Sequence, residues 1–366
     1  MKARSLLFLS LVLLGHAHGA VLRVPGDYAT IQGALDQTAS GDEVRVAPGT
    51  WSGPENRDLH FPVSKVSLVS EAGPALTVID AEGLGRGILV DGDVSTGVVI
   101  RGFSVMGGRA DWGAGIALFN EATLDVEDCW MIGNVATGDG GGLAAVGSYA
   151  TLRVSRCLLR GNVSGGFGGG LSVNGTYDFQ ATNCVVVGNR AVSGGGVSFY
   201  GAFFPTLTNV LITRNASTER DGGGLFFHEC FDPIIDHCTI VDNRAATTGG
   251  AIRNRVTSTE MTNSILWGNA PDVVSGSGGL AAQHCDIQGG WPGHGNLDAD
   301  PRFTDYDGIR YLLSPNSPAI DAGIGEADGI DWGSLHPGYG RANGPDSDMG
   351  AFGGPQAAAW LDFPRP

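Results

Sequence analysis

Lysine is nearly absent from this chain: Lys2 and Lys65 are the only two in 366 residues. Arginine does not make up the deficit, because 22 Lys and Arg face 38 Asp and Glu, for a net charge of −16. So acidic a surface excludes nucleic acid and anionic membrane as partners held by bulk electrostatics. It also repels polyuronates unless a divalent cation bridges the two. Long apolar runs are missing as well. The run over residues 6–14 is too short to span a bilayer, and no later stretch approaches the roughly 20 apolar residues a transmembrane helix needs. Helical periodicity is confined to residues 28–37, where Ile31, Ala34 and Leu35 fall at its spacing.

What is abundant is repetition. Cys129-Trp-Met-Ile-Gly-Asn134, Cys157-Leu-Leu-Arg-Gly-Asn162 and Cys184-Val-Val-Val-Gly-Asn189 align, and Val210–Asn215, Cys238–Asn243 and Ser264–Asn269 continue the series. The asparagines step by 28, 27, 26, 28 and 26 residues. A second landmark keeps the same period: Gly140-Gly-Gly-Leu143, Gly168-Gly-Gly-Leu171, Gly194-Gly-Gly-Val197, Gly222-Gly-Gly-Leu225 and Gly249-Gly-Ala-Ile252. Such a period signals a solenoid, whose units bury their apolar faces only against neighbours. Leucine-rich repeats are excluded, since their dense leucine pattern is missing.

Each repeat carries three alternating apolar pairs, such as Leu143/Ala145, Leu152/Val154 and Cys157/Leu159, with no helix between them. Alternation places each pair on one side of a strand. Three strands in about 27 residues predict one coil of a right-handed parallel β-helix, with coils ~4.8 Å apart. Asn183, Asn209 and Asn263 stand at the bend before the Cys column, where a left-handed backbone suits asparagine. The six repeated asparagines predict an internal amide ladder. Four of the six cysteines share an inward column as free thiols, which leaves Cys230 and Cys285 as the two expected to be exposed or paired.

The predicted organisation is a secretory signal over 1–19, a helical cap over 20–43, the β-helix over 44–288 and an acidic Gly/Pro/Asp-rich closing segment over 289–366. The signal rests on Lys2 and Arg4 before the apolar run and on small Ala17 and Gly19 at a cleavage site. No cysteine follows that site, which argues against a lipid anchor. The expected location is therefore extracellular or on the outer cell surface. The cap covers the open end of the core, where unpaired edges invite association, and the tail folds back over the far end.

Val24-Pro-Gly-Asp-Tyr-Ala-Thr-Ile-Gln32, followed by Gly41-Asp-Glu-Val-Arg-Val-Ala-Pro-Gly-Thr-Trp51, resembles the opening of pectin-lyase-like right-handed β-helix proteins. Gly249-Gly-Ala-Ile252 with its apolar-x-x-Asn partner resembles the repeats of polymorphic outer-membrane proteins, though without their usual Phe. Gly289–Phe303, Ser314–Gly323 and Asp348–Phe352 are similar to the C-terminal part of secreted bacterial β-helix proteins. The resemblance implies fold and export, in a superfamily that mixes lyases, hydrolases and adhesins.

Two fragments resemble catalytic motifs. Gly293-His294-Gly295 matches a piece of the polygalacturonase pattern, but no Arg-x-Lys follows. Ile235-Asp236-His237-Cys238 matches a piece of a pectate-lyase motif that lacks its arginine partner here, and it falls at an ordinary bend. Both read as structural. The outward columns of the strand after the Gly-rich turn bring Tyr200, Phe226, His228, Arg253 and Arg255 onto three adjacent coils, a candidate glycan patch of stacking surfaces and donors. Asp298, Asp300, Asp305 and Asp307 are a candidate calcium set, calcium taking six to eight oxygen ligands. No cofactor is otherwise required.

The leading expectation is a non-catalytic scaffold that binds carbohydrate or a cell-envelope component. The alternatives are a polysaccharide lyase or glycoside hydrolase, and a purely structural surface protein. The oligomeric state is not legible.

Overall fold

The structure is a computed structural model and describes residues 19–92, 97–306, 309–325 and 347–353. Successive coils stack strictly in parallel, forming sheets of nine, eleven and ten strands. The first sheet follows the Gly-rich turns and includes Leu143–Val146, Leu171–Asn174, Val197–Tyr200, Leu225–His228 and Ile252–Arg255. The second contains Thr151–Ser155 and its counterparts, the third Leu158–Arg160 and its counterparts. Identical positions pair: Leu143 with Leu171, Leu152 with Phe179, Leu159 with Val186. The apolar columns read from the alternation point inward and are buried along the solenoid axis.

The bend between the second and third sheets has no spare residue, and the chain turns there through one left-handed position. Its occupants are Asp128, Arg156, Asn183, Asn209, His237, Asn263 and His284, with φ between 47° and 54°. The expected asparagines occupy three of these places. Arg156, a costlier choice for that conformation, is held by two bonds to Asp128 at 2.7 and 2.8 Å.

The asparagine ladder is present and regular. Asn162 Nδ2 donates to Met131 O at 2.9 Å and to Asn189 Oδ1 at 3.0 Å, while its backbone N–H donates to the same oxygen at 2.9 Å. Asn134, Asn189, Asn215 and Asn243 repeat the pattern. A buried amide would be costly unpaired, and here each one ties a coil to both neighbours.

Three expectations need correction. A coil has more than three strands: two-residue strands such as Val135–Ala136, Val163–Ser164 and Arg190–Ala191 form a fourth sheet of five. The Gly triplet is what permits it. The first glycine adopts positive φ (Gly168, 67°), and a Cβ on the second, Gly169, would lie 2.5 Å from the carbonyl oxygens of Arg190 and Gly195. The turn thus folds tightly over the outside of the first sheet. Second, Cys230 and Cys285 are neither exposed nor paired: all six cysteines are free and buried. Cys285 belongs to the same column, one coil beyond Ser264, since Ile265 pairs with Asp286. Cys230 lies in a separate inward column of small residues, beside Ala202 and Thr257.

Third, the tail does not fold back over the far end alone, because it also covers outward positions of the third sheet. Leu211, Val241 and Ile265 are buried by Leu312, Leu313, Ala319, Met349, Ala351 and Phe352 of the tail. The tail therefore divides. Around Trp291, whose indole donates to Leu280 O at 3.1 Å, it meets the end of the core. From the antiparallel pair Phe303–Tyr306 and Ile309–Leu313 onward it runs along the flank. At the other end a short helix, Ile31–Leu35, buries the three apolar residues expected and is capped by Thr30 Oγ1. Among the described residues no helix is long and apolar enough to cross a membrane.

Candidate functional site

The five patch residues share one face but not one fate. Tyr200, His228 and Arg255 are in register on adjacent strands, as are Ser198, Phe226 and Arg253. Tyr200 is 45% exposed, and its ring meets the His228 ring edge-on at 4.7 Å. Arg255 is exposed. Burial, then the charge of Arg255, lowers the His228 pKa, which leaves a neutral imidazole near pH 7. Phe226, by contrast, is only 4% exposed. Alternation correctly aims it outward, but the Gly-rich turn covers that column. A Cβ on Gly222 would lie 2.9 Å from Phe226 Cβ, and the Phe167 ring stacks on Phe226 at 5.7 Å. Arg253 is partly covered and turned to Asp221, with Nε 3.2 Å from Oδ2.

This overhang creates a concave feature on the face, a cavity of about 150 Å³. Its floor is Ser172 and Ser198, whose hydroxyls are 3.3 Å apart. Phe226 closes one end, Phe167 and Asp139 descend from the turn, and Asn174 and Tyr200 stand on the sheet side. Asp139 Oδ1 accepts the Phe167 N–H at 2.8 Å. Burial raises the Asp139 pKa above the usual carboxylate range, against the opposing effect of that bond.

Asp139 and Phe167 escaped sequence reasoning. They hold the position just before each Gly triplet, with Ser193 and Asp221 following in the same column. Aligning that column would have exposed it as chemically rich.

A second group was also missed. At the turn after the first sheet, beyond Tyr200, Tyr177 lies 6.1 Å from Phe203, which stacks face to face on Phe231 at 4.6 Å. Tyr177, Phe204 and Phe231 are each about half exposed. Aromatic rings therefore stand both at the cavity and at the turn beyond Tyr200.

Among the described residues, Asp298, Asp300 and Asp305 of the calcium set do not form a metal-holding group. Asp298 Oδ1 accepts the Gly289 N–H at 3.0 Å, Asp300 Oδ1 the Arg302 N–H at 2.8 Å, and Asp305 lies 4.0 Å from exposed Arg310. Asp307 lies outside the described residues. Among those residues no group of three or more His, Cys, Asp or Glu is arranged to hold a metal. Asp298 and Asp300 cap local turns instead.

Asp236 and His237 take part in a relay-like set. His237 Nδ1 lies 2.9 Å from Asp236 Oδ2, and Nε2 lies 3.1 Å from Ser347 Oγ. Burial pushes the Asp236 pKa up, but the bond and charge of His237, with bonds from Thr262 and Asn263, outweigh it and hold the pKa below the usual range. His237 and Ser347 are both sealed, and Ser347 Oγ also donates to Ile324 O at 3.1 Å. With no space for a substrate, the set is a latch between the solenoid and its tail. His294 is likewise structural: its carbonyl accepts the His284 N–H at 2.8 Å, and the two rings are 5.2 Å apart.

Residues 153–287 match a family model described as a right handed beta helix region. Among solved structures, pectate lyase Pel9A aligns over 91% of this chain and 96% of its own, at 13% identity and a TM-score of 0.50. This chain is a right-handed parallel β-helix. A pectin methylesterase mutant in complex with a hexasaccharide aligns over 78% of this chain and 94% of its own, at 10% identity and TM-score 0.36. The PL6 family alginate lyase AlyGC covers 80% and 55%, at 11% identity and TM-score 0.31. At these identities the likeness is one of fold alone. No curated protein matches in sequence.

Proposed function

We propose that the protein binds a glycan chain along the aromatic face of its first sheet, without cleaving it, as an exported or surface-displayed scaffold. The observation that carries this reading is a pair of aromatic groups at the first sheet, the cavity with Phe167, Phe226 and Tyr200 and, at the turn beyond Tyr200, the half-exposed Tyr177, Phe204 and Phe231. Sugar rings present C–H faces that pack on aromatic rings, while hydroxyls need fixed polar groups. Asn174, Ser172, Ser198 and Arg255 are placed to supply those. The coil rise of ~4.8 Å is close to the length of one sugar unit, so successive units meet equivalent positions.

Binding without cleavage is the reading for the two acids of the turn column, which stand too far apart to act together. Glycoside hydrolysis takes two carboxyl groups, roughly 5 to 9.5 Å apart. Asp139 and Asp221 occupy one column three coils apart, which at ~4.8 Å per coil is about 14 Å. The test is retention of the purified chain on immobilised neutral and acidic polysaccharides, beside Tyr200→Ala and Arg255→Ala. Retardation by at least one polysaccharide, weakened about tenfold or more in Tyr200→Ala (~1.4 kcal/mol for a lost stacking contact), is expected. No retention, or equal retention by both variants, contradicts the reading.

Cleavage is the second reading, and one observation favours it: Asp139 is a carboxyl biased towards its protonated form in an aromatic pocket, as a general acid would be. Reducing ends or unsaturated uronate released above a heat-killed control would move the assignment to catalysis.

A further inference from the structure

The cavity beside Asp139 is smaller than the roughly 300–1,000 Å³ typical of sites that enclose a whole ligand, at about 150 Å³. It suits a substituent. Asp139 is the one lining residue that carries a charge near neutral pH, and no Arg, Lys or His lines the cavity with it. Arg253, the nearest cation in the floor column, is turned to Asp221 at 3.2 Å. The remaining walls are the rings of Phe167, Phe226 and Tyr200 with two serine hydroxyls between them.

We propose that this pocket takes an organic ammonium group, held between the aromatic walls and the Asp139 carboxylate. Ring faces attract a desolvated cation through their quadrupole, and the effect grows as water is excluded. A partly buried carboxylate without a cationic partner, as Asp139 is, is stabilised when one arrives. The net charge of −16 adds a long-range pull in the same direction. The group has two sources: the amine of an amino sugar within a bound glycan, which rests on the glycan reading above, or a free quaternary amine, which does not.

Calorimetric titration of the full chain separates them, using four probes. These are a glucosamine tetrasaccharide, its N-acetylated counterpart, choline, and 3,3-dimethylbutan-1-ol as the uncharged isostere of choline. At least one charged probe is expected to bind about tenfold or more tighter than its neutral partner. In Asp139→Asn, which keeps an acceptor for the Phe167 N–H, that ratio is expected to fall to within about twofold. Phe167→Leu, which keeps volume and loses the ring, is expected to reduce it as well. Preference confined to the tetrasaccharides assigns the amino sugar, and preference confined to choline assigns the free amine. Binding of both chains with no preference for the charged member of either pair would overturn this inference and leave the glycan reading standing. Choline binding with neither chain bound would do the opposite. No binding by any probe, or a preference that survives Asp139→Asn, would also sink the ammonium pocket.

Discussion

Asp286 should weaken the fold at neutral pH, and removing its charge should strengthen it. Its side chain is fully buried, on the outer side of the last coil beneath the returning tail. Oδ1 accepts the Ala299 N–H at 3.1 Å, but Oδ2 is buried with no partner. Burial pushes its pKa up to about 6, against an ordinary 3.8; the Ala299 bond opposes this, and Asp298 and Asp300 add to it. Between those two values the folded chain holds a proton that the unfolded chain has released. Stability from this group is therefore complete below about pH 4 and is lost as pH rises through 6. At about 1.4 kcal/mol per pH unit, the ionised group costs the fold on the order of 3 kcal/mol at pH 7. Asp286→Asn keeps the acceptor for Ala299 and removes the charge, while leaving one amide donor short of a partner at a cost of ~1–2 kcal/mol. The expected net gain is ~1–2 kcal/mol at pH 7, with no gain or a small loss at pH 4. Urea unfolding at the two pH values measures the difference. A variant that shifts stability equally at both would refute the argument.

Other perturbations probe the solenoid and its latch. Asn189→Ala removes a side chain that bonds Leu159 O and Asn215 Oδ1 and accepts from the Asn162 backbone. It is expected to cost about 2–4 kcal/mol in urea melts, whereas an exposed ion-pair change such as Arg153→Ala should cost under about 1 kcal/mol. Gly169→Ala places a Cβ 2.5 Å from two carbonyl oxygens, and more than about 3 kcal/mol of loss, or failure to fold, is expected by circular dichroism. Ser347→Ala breaks the contact with His237, so limited proteolysis should reach the tail sooner while the solenoid resists. Equal cleavage rates would show that the latch does not hold it.

Much of the solenoid was legible because its columns are local and repeated. Each Asn, Cys and Gly position is seen six or five times, and a strand's two-residue alternation separates inside from outside. Alternation says nothing of what covers the outside. Phe226 and Ser198 do face outward, yet the Gly-rich turn closes over them, and that overhang is what makes the cavity. The turn's glycines were visible as landmarks, but their close approach to Arg190 and Ala216 in the next coils is a three-dimensional fact. The tail contacts were hidden for a different reason. His237 meets Ser347 across 110 positions, and no periodic signal links them. Cys285 was misplaced because the last coils are shorter, which moved it out of the apparent register.

Hydrogen exchange of the full chain, with and without the oligosaccharide that it retains, would show which face the ligand covers. If the aromatic face is the ligand surface, protection should appear in residues 165–177, 197–204 and 225–231, with the second sheet unchanged. Protection elsewhere, with those three stretches unaltered, would contradict the assignment of this face.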